Sequence, residues 1–258
     1  FHPDRLSEAA FEAVRRMQRA LGHRGPDGEG WFQGQRIALA HRRLSIIDLS
    51  GGAQPLAGER DGTVAIVNGE IYNYIELQQE LAADGARLRT RSDSEVVPFL
   101  YERHGEDFVH RLRGAFAAAI WDASRQQLLL VRDRLGEKPL LYATGDDRTV
   151  YFASEIGALV ASGAIPVEPD MEAINRYFHF RFVPEPATPL RHVRKLRAGH
   201  FMALSPDSPL REDDALLSVA AGRDPALGAA DLPGLNPDIT SLRRTVGAFR
   251  GMLEQRLR

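Results

Sequence analysis

The chain has 258 residues, of which 43% are hydrophobic and 26% charged, and its formal net charge is −2. These values are ordinary for a globular protein with one or two domains. The net charge argues against nucleic acid or an anionic membrane as the partner, because both select basic surfaces. No apolar run is long enough to span a bilayer. The absence of cysteine excludes disulfides, thiolate metal sites and thiol chemistry within these residues, and fits a reducing compartment such as the cytoplasm.

The first half of the chain predicts one helix, a run of strands and two further helices. Ser7 is a candidate cap for a helix whose apolar residues recur at helical spacing up to Leu21. Asn73 to Glu76 has the form of a capping box, which predicts a helix that ends near Asp84. A second helix start is predicted at 92–95. Strands are predicted at 31–33, 37–47 and 64–71.

The second half predicts three more strands, at 115–121, 127–132 and 150–153, and short helices at 156–161 and 171–180. Strands that follow one another in runs, with helices between the runs, indicate an α+β fold with antiparallel sheets rather than regular βαβ alternation.

The two ends of the chain differ from this pattern. Residues 205–236 are rich in Asp, Ala, Gly and Pro and predict a linker. Residues 242–257 predict an amphipathic helix whose apolar stripe needs a packing partner. We therefore expect a domain at 1–204, followed at 205–258 by a linker and a helix. Phe1-His2-Pro3 is not a translation start, so we expect further residues before Phe1.

Arg43 is the first candidate site residue, since it lies in a predicted strand whose following residues are mostly apolar. A guanidinium can hold a carboxylate through two parallel hydrogen bonds. The alternative is a surface ion pair at a sheet edge, and for an isolated arginine this alternative would be preferred.

Asn68, Gly69 and Glu70 follow the apolar residues 64–67. An Asn amide beside a Gly backbone N–H can form an oxyanion hole, and Glu70 could bind an ammonium group. The alternative is a hairpin turn, for which Asn-Gly is the strongest short signal. The local sequence alone favours the turn, although Ile71 and the residues after it continue toward a helix.

Asp93 stands at a predicted helix start, where a capping role is common and a second carboxylate for a substrate ammonium is the functional alternative. Together the candidates supply one guanidinium, two carboxylates and an oxyanion hole. That set complements an α-amino acid with a side-chain carbonyl, although sequence spacing cannot bring its members together.

Two other kinds of site are not predicted. Ser50-Gly51-Gly52 resembles the start of the Ser-Gly-Gly-x-Asp-Ser loop of ATP pyrophosphatases, but the Asp-Ser half does not follow. No other nucleotide motif occurs, and the eight histidines show no metal-ligand spacing, so we expect neither a nucleotide nor a metal in this domain.

A series of motifs resembles the N-terminal domain of asparagine synthetases, in the same order, over roughly residues 6–202. The motifs are His23-Arg24-Gly25-Pro26-Asp27, Ala40-His41-Arg42-Arg43-Leu44-Ser45-Ile46, Val67-Asn68-Gly69-Glu70-Ile71-Tyr72-Asn73, Ser92-Asp93-Ser94-Glu95-Val96, and segments at 114–116, 121–122, 132–140, 152–155, 193–196 and 199–200.

The resemblance implies an N-terminal-nucleophile (Ntn) hydrolase fold, in which two antiparallel sheets lie between helical layers, and a class II glutamine amidotransferase. It implies that glutamine is hydrolysed to glutamate and ammonia, which a C-terminal synthetase domain uses with ATP and Mg to amidate aspartate or a related carboxylate. The family also suggests a homodimer. The glutamine site would comprise an oxyanion hole at Asn68 and Gly69, together with Arg43, Leu44, Ser45, Ile46, Ile47, Glu70 and Asp93.

The chain departs from the family pattern at its nucleophile. The family uses an N-terminal cysteine, whose strand we expect just before Phe1, and no residue of this chain can replace it. Two alternatives to the glutaminase domain of a synthetase stay open. The domain could be a catalytically inactive structural or regulatory module beside a synthetase, as in β-lactam synthetases, or a glutaminase without a synthetase domain.

Overall fold

The computed structural model describes residues 1–44 and 52–207, together with the backbone of residues 217–218. All of them belong to one unit, Phe1–Ala220. Three expected site residues, Ser45, Ile46 and Ile47, lie outside the described residues. So do most of the predicted linker and the predicted terminal helix. Among the described helices, none is long and apolar enough to cross a membrane.

Five α-helices and eleven strands form the described fold. The helices are α1 (Glu8–Ala20), α2 (Tyr74–Ala83), α3 (Val96–His104), α4 (Ile156–Ala161) and α5 (Met171–Phe180). The strands are β1 (Gly28–Gln33), β2 (Ala38–Arg43), β3 (Leu56–Ala57), β4 (Thr63–Ile71), β5 (Gly114–Asp122), β6 (Gln127–Arg132), β7 (Leu141–Thr144), β8 (Val150–Ala153), β9 (Arg194–Lys195), β10 (His200–Leu204) and β11 (Leu217–Ser218).

The helices predicted within the described residues are present, but one predicted cap is wrong. Ser7 caps α1 as expected, because its side chain accepts the N–H of Ala10 at 3.2 Å. The capping box of α2 does not form. The Asn73 amide instead donates to the carbonyl of Arg111 and accepts the N–H of Arg113, both at 2.9 Å. These bonds tie the start of α2 to the segment before β5.

All described strand pairs within the sheets are antiparallel, as predicted. The largest sheet has the strand order β11-β10-β6-β5-β4-β3, a second sheet has the order β8-β7-β9, and β1 and β2 form a two-stranded ribbon. The sequence did not predict β3, β7, β9, β10 or β11, which are short strands without a clear period-two pattern.

The six-stranded sheet is buried on both faces, because its side chains alternate between two cores. Phe116 and Ile120 of β5 face helices α2 and α3, where they pack near Phe99. Trp121 of β5 faces the opposite way, toward Leu39 of β2 and residues of β7 and β8. The sheet therefore separates a helical layer from a second β layer.

Helices α1 and α4 cover the far side of the second β layer. Met17 of α1 and Leu159 of α4 share a core with Leu141 and Tyr151 of the three-stranded sheet. The order of layers is thus helix, sheet, sheet, helix, which confirms the predicted αββα arrangement.

The second β layer consists of two pieces, the ribbon and the three-stranded sheet, which the first two residues connect. Phe1 N–H donates to the Val150 carbonyl and the Phe1 carbonyl accepts the Val150 N–H, both at 2.8 Å. His2 N–H donates to the Arg36 carbonyl, just before β2, at 2.9 Å. Phe1 consequently lies between the facing edges of β2 and β8.

Gly69 is the position in β4 where only glycine fits. Its φ is +135°, a conformation that other residues rarely adopt. A Cβ atom there would lie 2.0 Å from the Ala115 carbonyl oxygen and 2.7 Å from the Phe116 Cα. The backbones of β4 and β5 therefore approach closely at this point.

Replacing Gly69 by alanine is expected to destabilise the fold by at least about 1–3 kcal/mol, from backbone strain before the steric clash is counted. Gly157→Ala is the matched control, because Gly157 lies in α4 and a Cβ there meets no atom within 4 Å. It should be neutral or stabilising by up to about 1 kcal/mol. Urea unfolding compares the two variants, and equal loss of stability in both would contradict the explanation.

Candidate active site

Two strands of opposite β layers, β2 and β4, direct polar side chains toward the space between these layers. Ile37 and Leu39 pack in the core between these layers. Residues 41 and 43 continue the same period-two series, so His41 and Arg43 lie on that face of the ribbon. Along β4, Val64 belongs to the same core, and its series leads to Asn68 and Glu70.

A cavity of about 340 Å³ lies at the ends of these two series. Six expected glutamine-site residues line it, namely Arg43, Leu44, Asn68, Gly69, Glu70 and Asp93. The structure thus brings together residues that are up to 50 positions apart in the chain. The other expected site residues of this segment, 45–47, lie outside the described residues.

The hairpin alternative for Asn68-Gly69 is wrong. Both residues lie inside β4, where Asn68 pairs with Ala117 and Gly69 pairs with Phe116 of β5. The Asn68 Nδ2 atom is buried and has no hydrogen-bond partner. Since a buried amide donor without a partner is costly, this atom is suited to a ligand that brings its own acceptor.

The backbone N–H of Gly69 points away from β5, toward the same side of β4 as two other N–H groups. Alternate residues of an antiparallel ladder turn their N–H groups outward. Val67 N–H donates to Gln54 Oε1 at 2.6 Å, and Ile71 N–H donates to Asp93 Oδ2 at 2.8 Å. Gly69 lies midway between them, which places its N–H beside the Asn68 amide as a second donor.

Asp93 does not have the capping role that was its alternative reading. Ser92 caps the turn at Asp93–Glu95, since its hydroxyl accepts the N–H of Ser94 at 3.3 Å. Asp93 is 5% exposed and uses one carboxylate oxygen to accept the Ile71 N–H at the end of β4. This bond holds the Asp93 carboxylate at the residue that follows Glu70, and both acidic residues line the cavity.

His41 also lines the cavity, and the sequence did not single it out. Burial lowers the pKa of His41 from 6.5 to about 4, an interaction with the Val67 backbone opposes this shift, and the Arg43 cation reinforces it. The ring is therefore neutral near pH 7. Its position two residues before Arg43 in a strand was the available signal.

Residues distant in the sequence from Asn68 also line the cavity. Phe1 and Thr149 line it, together with Lys138 and the residues of β8. Nothing in the local sequence of Thr149 or Lys138 indicates a site, because tertiary packing alone places them here. The arrangement can bind a zwitterion and donate hydrogen bonds to a carbonyl oxygen, but it contains no thiol.

Residues 4–211 match the family model described as a glutamine amidotransferase domain. The chain belongs to this family. It is 42% identical over 209 residues to asparagine synthetase [glutamine-hydrolyzing] 1 of Bacillus subtilis, which covers 81% of this chain and 33% of that protein. Over 162 residues it is 43% identical to asparagine synthetase [glutamine-hydrolyzing] 2 of the same organism, with 63% and 21% covered.

These comparisons confirm the family that the motifs predicted. A structure of glutamine phosphoribosylpyrophosphate amidotransferase from Bacillus subtilis superimposes with a TM-score of 0.56 at 19% identity, and covers 80% of this chain and 45% of that one. This similarity confirms the Ntn-hydrolase fold. The present chain matches about a third or less of the length of the two asparagine synthetases.

Replacing His41 by asparagine is expected to flatten the acid side of the stability profile. The unfolded ring binds a proton below about pH 6.5, whereas the folded ring resists it down to about pH 4. The wild-type chain therefore loses stability as the pH falls through this window, by no more than about 1.4 kcal/mol per pH unit.

Urea unfolding of both proteins at pH 7.5 and pH 5 measures this effect. The difference in unfolding free energy should shift in favour of His41→Asn at the lower pH. A constant difference between the two proteins would show that the His41 ring titrates normally in the folded state.

Proposed function

We propose that this domain binds glutamine and hydrolyses it to glutamate and ammonia. The observation that carries the proposal is the buried, unpartnered Asn68 Nδ2 donor in a cavity that Arg43, Glu70 and Asp93 also line. A glutamine molecule has the matching parts, because it carries an α-carboxylate, an α-ammonium group and a carbonyl oxygen.

Each group then has one role. The Arg43 guanidinium binds the α-carboxylate, for which its planar fork is well shaped. Glu70 and Asp93 bind the α-ammonium group, and Leu44 borders the bound molecule. The Asn68 amide and the Gly69 N–H donate to the carboxamide oxygen and stabilise the negative charge that develops on it when the carbonyl is attacked.

The attacking group is proposed to be a cysteine joined to Phe1 on its N-terminal side. In the described sheets, β2 has only β1 as a neighbour and β8 has only β7. Residues of both strands line the cavity, and Phe1 lies between their facing edges. A segment that continues from Phe1 along these edges would join the two pieces of the second β layer and reach the Asn68 end of the cavity.

The chemistry balances with this cysteine. The α-amino group of this cysteine takes the thiol proton, and the thiolate attacks the carboxamide carbon. The C–N bond then breaks, and ammonia leaves with the proton that the same α-amino group returns. Water then hydrolyses the thioester and releases glutamate. The complete set of pocket residues argues against an inactive module, which would not require a paired oxyanion donor and guanidinium.

We further propose a synthetase domain as the partner that uses the ammonia. The support is the length of the related asparagine synthetases, about three times the matched region. ATP and Mg would act in that domain, on aspartate or a related carboxylate. We also propose a cytoplasmic location and a homodimer.

The complete reading frame, purified with its native N-terminus, is expected to release glutamate from glutamine. Intact-mass measurement should identify cysteine as the first residue of the mature protein, and replacing that cysteine by alanine should abolish release. A mature N-terminus other than cysteine, or no glutamate from a protein that has this cysteine, would refute the proposal.

Arg43→Lys should raise the KM for glutamine by about tenfold or more, because lysine cannot form the two parallel bonds to a carboxylate. The matched control is Arg176→Lys, since Arg176 is exposed on α5 and pairs with Glu172 on the same helix. Steady-state glutamate release measures both variants. An unchanged KM in Arg43→Lys would remove Arg43 from the substrate site.

A further inference from the structure

His41 has a buried ring nitrogen without a partner beside the expected oxyanion hole. The Nδ1 atom is buried and unpaired, as is Nδ2 of Asn68, and both residues line the same cavity. A buried polar atom without a partner is uncommon in a folded protein and needs an explanation. The roles of Arg43, Glu70 and Asp93 leave this atom unexplained.

The surroundings of the ring fix which nitrogen carries the proton. The His41 ring interacts with the Val67 backbone, and because Nδ1 has no partner, Nε2 makes this interaction. The Val67 N–H is already donated to Gln54 Oε1 at 2.6 Å. The Val67 carbonyl accepts from Gln54 Nε2 at 3.0 Å, and its second lone pair can accept from the His41 ring. Nε2 is therefore the donor, and Nδ1 of the neutral ring carries a lone pair.

The residues that line the cavity consequently supply both an acceptor and a donor without a protein partner. Nδ1 of His41 accepts and Nδ2 of Asn68 donates. Asn68 directly follows Val67, whose backbone interacts with the His41 ring. A primary carboxamide has the complementary pair, because its NH₂ group donates and its oxygen accepts. A carboxylate offers two acceptors, one of which would face the lone pair of Nδ1.

We propose that His41 determines specificity for glutamine over glutamate by accepting an N–H of the substrate carboxamide at Nδ1. This inference rests on the proposed glutaminase function and adds the discrimination between the amide substrate and its acid product. Burial keeps the ring neutral, so a cation that would attract the γ-carboxylate of glutamate is absent from this position.

Two substitutions separate the ring nitrogens. His41→Asn keeps a polar atom at the position of Nδ1, whereas His41→Gln places its amide near the position of Nε2, where it can still donate to Val67, and leaves no acceptor at Nδ1. Both residues are neutral, so the charge of the site does not change. Circular dichroism and thermal unfolding establish that each variant folds.

The readout is the ratio of the glutamate inhibition constant to the glutamine KM, measured on the full-length protein. His41→Gln is expected to lower this ratio by about tenfold, which is typical for a buried hydrogen bond whose partner is lost. His41→Asn should stay within about threefold of the wild type. A wild-type ratio in folded His41→Gln would overturn the proposal, as would an equal loss in both variants.

A ligand comparison on the wild-type protein keeps the proposal testable if His41→Gln does not fold. Glutamate γ-methyl ester retains the carbonyl oxygen but has no N–H, so as a competitor of glutamine hydrolysis it should bind about tenfold more weakly than glutamine. Equal affinity would overturn the role of His41.

Failure of the underlying function has a different signature. If the full-length protein releases no glutamate, the glutaminase proposal fails, and calorimetry with glutamine and glutamate then tests His41 directly. Tighter binding of glutamine, lost in His41→Gln, supports the recognition role without catalysis. Equal binding of both amino acids overturns it.

Discussion

The close approach of β4 to β5 at Gly69 is the constraint on which the rest of the site depends. A side chain at this position would meet the β5 backbone. Gly114 of β5, which pairs with Ile71, has a similar steric restriction, since a Cβ there would lie 2.1 Å from the Glu70 carbonyl oxygen. The pairing with β5 continues to Ile71, so Asn68 and Glu70 stay on the inner face. It also turns the Gly69 N–H away from β5.

Much of the fold could be predicted because its signals are local. The helical spacing after Ser7 and the apolar strands at 64–71 and 115–121 determine their elements wherever these pack. The capping box at Asn73 failed for the opposite reason. Its amide bonds to Arg111 and Arg113, a long-range pairing that no local pattern records. The division of the second β layer into two pieces depends on such contacts as well.

The site was predictable in its members but not in its geometry. Residue types alone suggested a zwitterion and a carbonyl oxygen, while local evidence preferred a turn at Asn68 and a cap at Asp93. Both local readings fail because β4 continues through Asn68 and because Asp93 accepts the Ile71 N–H at its end. His41 was overlooked, since its spacing from Arg43 was the one local signal, and its burial becomes visible only when its neighbours across the β layers are known.

Charge is distributed unevenly in the cavity, and this distribution follows from how each group is held. The charged residues Arg43, Glu70 and Asp93 match the charged end of an amino acid, whereas neutral groups of Asn68, Gly69 and His41 surround the place where its side chain would react. A protonated His41 beside Arg43 would add a second cation and attract carboxylates without distinguishing product from substrate. Burial of the ring, reinforced by the Arg43 cation, prevents that protonation near pH 7 although the Val67 backbone opposes it. The same desolvation that makes the ring costly to charge therefore leaves its lone pair available to an amide.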